Sequence, residues 1–127
     1  LDLIEYVPWQ SMDAIAADPS LRLDTTDGAF MFFVFNGTRP PFNDARVRKA
    51  VAHAIRREEL VRAAFFGRGS PLTQLPIPES SPFYNADFKD GWRYDPALSR
   101  RLLAEAGHPN GVSCSLLSTA QYGMHKD

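Results

Sequence analysis

The chain has 127 residues, with 14 Lys plus Arg against 15 Asp plus Glu, a formal net charge of -1, 44% hydrophobic and 23% charged residues. These are ordinary values for one globular domain with a core of its own, and they exclude a disordered, collagenous or coiled-coil chain. Near-neutral charge argues against a dedicated nucleic-acid binder, and the longest apolar run, 29–35, is far shorter than the roughly 20 residues of a membrane span.

The opening LDLIEYVPW lacks the basic, apolar and small-residue order of a signal peptide. The chain reads as a piece of something longer. Residues 1–6 alternate loosely, as a strand does, and Pro8-Trp9 opens a short helix with Met12, Ile15 and Ala16 on one face. Asp18-Pro19 ends it, because the residue before a proline is driven out of the helical region. Leu21 and Leu23 alternate with Arg22 and Asp24 as a second strand, and 25–28 is a turn. The run AFMFFVFN, 29–36, is apolar and aromatic, bounded by turn residues, and is expected to be a strand covered on both faces.

After Pro40-Pro41, the stripe Val47, Ala50, Val51, Ala54 and Ile55 predicts an amphipathic helix capped by Asn43 or Asp44. A second stripe, Leu60, Val61, Ala64 and Phe65, extends to Gly67, the expected left-handed C-terminal residue. The two stripes belong to one bent helix or to two in succession. Residues 69–90 carry Pro71, Pro76, Pro78 and Pro82 and are expected to be irregular but packed, since apolar residues are too many there for a free tether. Asp95-Pro96 supplies a cap and a first-turn proline, Leu98, Leu102, Leu103 and Ala106 form one face, and Gly107 closes this helix. Residues 112–117 read as a further buried strand. The fold class is thus α/β in the mixed sense.

No chemistry-bearing constellation stands out. His53, His108, His125 and Cys114 form no metal-ligand spacing, so neither a metal nor another cofactor is expected. His53 is expected on the helix surface and Cys114 as a small buried residue. No serine elbow exists, and Gly67-Arg68-Gly69-Ser70 follows a helix instead of opening one, unlike a phosphate loop. The basic residues between Arg46 and Arg62 are interrupted by Asp44, Glu58 and Glu59 and read as a solvated face.

The order of motifs is informative. FVFN, then PPFNDARVRKA, then YDP and LLAEAG, resembles the family 5 extracellular solute-binding proteins over nearly the whole chain. The resemblance implies a non-enzymatic fragment of a two-lobed periplasmic-binding-protein type II fold. Residues 1–27 would end the first lobe and approach the hinge, and 28–127 would begin the second. It implies an extracytoplasmic substrate-binding component of an ABC importer that closes on a peptide, or on another small solute such as nickel or an oligosaccharide, and delivers it to a membrane permease. By the resemblance, Gln121, Tyr122 and His125 fall where relatives often present side chains to the cleft, and Phe30, at the hinge end of its strand, is the other ligand-binding candidate. Relatives commonly have Asp-Arg where this chain has Arg56-Arg57; that Asp reads as a helix cap, so its loss predicts a less sharply divided helix. Two alternatives stand beside this reading: a ligand-sensing domain of a cytoplasmic transcriptional regulator, and an unrelated nucleic-acid-binding domain.

Overall fold

The computed structural model describes residues 3–25, 30–72, 76–77, 81–88 and 91–118. Among these, every regular element is helical: α1 (Met12–Ala17), α2 (Ala45–Ala54), α3 (Arg57–Ala64) and α4 (Pro96–Glu105), with 3-10 turns at Trp9–Ser11 and Ala86–Phe88. The helix starts follow the residues. Asp44 caps α2, its carboxylate accepting from the Arg46 amide at 2.8 Å, and Asp95 caps α4 by accepting from Leu98 N–H at 2.9 Å, with Pro96 in the first turn. Gly107 takes a φ of 88° after α4, and His108 N–H returns to the Leu103 carbonyl at 2.8 Å, a left-handed closure that satisfies an end carbonyl.

The core lies between α2 and α4, which pack antiparallel. At one end the Arg46 guanidinium donates to the Glu105 carbonyl at 2.6 Å; midway Ser99 Oγ donates to the Ala50 carbonyl at 2.8 Å; at the other end Asp95 N–H donates to the His53 carbonyl at 2.8 Å. Val47 and Ala50 are both 0% exposed and form the apolar centre of this seam, with Ser99 buried beside them. Small residues at 50 and 99 let the two backbones approach closely enough for a hydroxyl to bridge them.

Several expectations from sequence need correction. The segments expected as strands, 1–6, 21–23, 29–36 and 112–117, contain no strand among the described residues. A strand is completed by hydrogen bonds to a neighbouring strand, and periodicity cannot supply that neighbour. The aromatic run is likewise not covered: Phe30, Phe32 and Val34 are 48%, 67% and 81% exposed, while its end is anchored by Phe35 against Phe42 at 5.0 Å. Cys114 is exposed rather than buried for the same reason.

His53 is buried instead of lying on the surface: its Nδ1 is 2.9 Å from the Arg93 carbonyl and its ring 5.8 Å from that of Trp92. Its position on α2 is one turn from Ala50, on the flank that meets α4, which a single apolar stripe does not reveal. The division between α2 and α3 is also sharp, despite the absent cap. Ile55 and Arg56 hold ψ of 123° and 86°, and Arg56 makes no side-chain cap bond.

The joint between α2 and α3 is stabilised from the other direction. Arg57 Nη1 donates to the Ala52 carbonyl at 3.0 Å and to the Trp92 carbonyl, so a guanidinium in the first turn of α3 serves an orphan carbonyl ending α2 and the turn that leads to α4 together. Burial pushes the Arg57 guanidinium below its ordinary pKa, with Glu58 partly opposing.

Candidate functional site

Of the side chains expected to face a ligand, Phe30 is half exposed, with its ring 5.4 Å from that of Phe32. Gln121, Tyr122 and His125 lie outside the described residues. Among the described residues Phe30 is therefore the one candidate, and it offers an aromatic surface at the start of an exposed run.

Beside that run lies an open groove of about 590 Å³, lined by Phe33, Val51, Ile55, Leu60 and the Arg56–Glu59 ion pair at 2.9 Å. Arg56 also lies over the Tyr94 ring, 4.9 Å from its centroid. A side-chain hydrogen bond with Tyr94, followed by one with Glu59, holds the Arg56 guanidinium above its ordinary pKa, so it stays cationic and already partnered. The groove is apolar in its walls, and the charged side chains among its described lining, Arg56 and Glu59, are paired with each other. Among the described residues no group of His, Cys, Asp and Glu could hold a metal ion, and no helix is long and apolar enough to cross a membrane.

A second cluster joins the N-terminal segment to the end of α3. Trp9 packs edge-to-face on Phe65, with centroids 5.3 Å apart and planes at 79°, and the Arg68 guanidinium donates to the Asp13 carboxylate. Sequence reasoning missed this cluster, as it missed Arg57. The available signal was the pairing of an aromatic before α1 with Phe65-Phe66 after α3, but sequence spacing alone does not bring them together.

Over residues 1–126 the sequence matches the family described as bacterial extracellular solute-binding proteins, family 5 middle. The chain belongs to this family. Its members are solute-binding proteins, not enzymes, and the unrelated nucleic-acid-binding alternative falls away. The chain is 33% identical over 114 residues to the glutathione-binding protein GsiB of Shigella flexneri serotype 5b, and 35% identical over 114 residues to that of Salmonella choleraesuis. Each match covers 89% of this chain and 22% of the relative. The solved structure of the periplasmic binding protein AgaA of A. tumefaciens R10, in complex with agropinic acid, superposes with a TM-score of 0.86 at 35% identity, over 95% of this chain and 25% of that one. The backbone path is therefore that of a periplasmic binding protein, and the chain spans between a fifth and a quarter of the length of these relatives.

Proposed function

We propose that this chain acts as a segment of the substrate-binding component of an ABC importer, outside the cytoplasm, which closes two lobes on a solute and delivers it to a membrane permease. Residues 1–27 end the first lobe and 28–127 begin the second in this reading, and Phe30, Gln121, Tyr122 and His125 face the cleft. The observation that carries it is the family match over 1–126, joined to a backbone that follows AgaA at a TM-score of 0.86.

The solute we propose is a small carboxylated molecule, of which short peptides are one class. Two relatives support this: one is named for glutathione, a tripeptide acid, and the other is solved with agropinic acid. Contacts made by both lobes exist only in the closed form, so binding shifts the hinge equilibrium by that differential affinity.

Calorimetry with glutathione tests the reading. The longer polypeptide that carries this chain is expected to bind, and the 127 residues alone are not, because they hold part of a shared cleft. Micromolar binding by the 127 residues alone would contradict a site that needs both lobes.

A further inference from the structure

Two specific contacts reach across the boundary placed between residues 27 and 28. Both connect the region around α1 with the C-terminal turn of α3. Trp9, held in a 3-10 turn by the Ser11 N–H bond to the Pro8 carbonyl at 2.9 Å, meets Phe65 edge-to-face, and Asp13 in the first turn of α1 accepts from Arg68. Asp13 is otherwise open to solvent, with its side chain 91% exposed, while Arg68 is 29% exposed.

The turn that carries Phe65 and Arg68 has a defined geometry. Gly67 N–H returns to the Val61 carbonyl at 3.0 Å and Arg68 N–H to the Phe65 carbonyl at 2.8 Å. Phe66, not only Gly67, occupies the left-handed region, with φ of 53° and 75° respectively. A bulky residue there is strained, and such strain persists only where surrounding structure holds it.

We propose that Trp9–Phe65 and Asp13–Arg68 form a latch that holds the α1 region against α3 in one arrangement of the hinge; the latch rests on the lobe boundary of the proposed function. Its chemistry suits a reversible contact. An aromatic pair and one exposed ion pair are weak enough to open, and neither draws on the buried seam between α2 and α4. Residues 9–17 can then part from α3 without unfolding the α2–α4 pair.

The test uses spin labels on Ala17→Cys and Arg62→Cys in a Cys114→Ser background, all exposed positions outside the latch. Pulsed electron resonance in the 127-residue chain is expected to give a narrow short distance. Trp9→Ala with Arg68→Gln should lower the odds of that distance roughly two- to tenfold, with helix content and its thermal midpoint unchanged. A narrow distance that survives both substitutions overturns the latch. So does a broad distance before any substitution, which leaves the lobe boundary standing. A fall in the helical midpoint would instead place residues 9–17 in one core with α2 and α4, and would overturn the boundary together with the latch.

Discussion

The seam between α2 and α4 and the apolar aromatic run at 30–35 end in opposite states. Val47 and Ala50 are wholly buried, whereas Phe32 and Val34 are mostly exposed. The difference lies in how each element is completed. A helix satisfies its backbone within itself, four residues along, and needs from its neighbour only an apolar face and a few bridges such as Ser99 to Ala50. An apolar strand needs a second strand for its hydrogen bonds before its side chains can be stacked into layers. Helices can therefore form within a segment one quarter the length of a solved relative, and strands depend on what that segment is given to pair with.

The largest expected effect breaks the seam. Val47→Asp places a carboxylate at a fully buried position in the α2–α4 seam, where the Ser99 hydroxyl is already committed to the Ala50 carbonyl. An unpaired buried charge costs upward of about 3 kcal/mol, comparable with the whole stability of so small a core. Circular dichroism should show α2 and α4 losing helicity together, and retention of a wild-type melt would mean that the seam does not carry the fold.

A smaller effect is set by pH. The Arg46 side chain, and then its backbone amide, hold the Asp44 carboxyl down at about 2 against an ordinary 3.8. The folded form thus favours the ionised group, so the contribution of Asp44 is complete above the ordinary value and disappears as pH falls from about 4 toward 2. Asp44→Asn keeps an acceptor for the cap and removes the titration. Helicity followed from pH 5 to 2 should fall less steeply in that variant; superimposable curves would show that the cap charge is not linked to folding. Residues 30–35 contain no ionisable side chain, so this lever acts on the helical region alone.

The same contrast explains what sequence could reveal. The caps at Asp44 and Asp95, the stripe on α2 and the closure at Gly107 were legible because each is decided within one turn of helix. His53 and Arg57 were not, since their partners, the Arg93 and Trp92 carbonyls, lie far along the chain. The expected softening of the joint between α2 and α3 failed for that reason: a missing cap is visible in sequence, and the guanidinium that compensates from beyond the break is not. For the site, the motif order pointed to the family, while Phe30 is the one ligand-facing candidate within the described residues and no partner for it could be read from periodicity.

The smallest expected effect isolates the aromatic run. Phe32 is 67% exposed, its ring touches Phe30 at 5.4 Å, and it takes no part in the α2–α4 seam. Phe32→Thr keeps a residue suited to a pleated surface while removing the ring. In the 127-residue chain the stability of the helical region should change by no more than about 0.5 kcal/mol, the usual range for an exposed position. A loss of 2 kcal/mol, about what a buried large side chain forfeits, would mean that the ring is covered in solution and that the two regions share one core. In a polypeptide that also carries the rest of the proposed two-lobed protein, the expectation reverses. If neighbouring strands cover the run there, the same substitution should cost what a buried aromatic costs, and the ratio of the two effects measures how much of the core is supplied from outside residues 1–127.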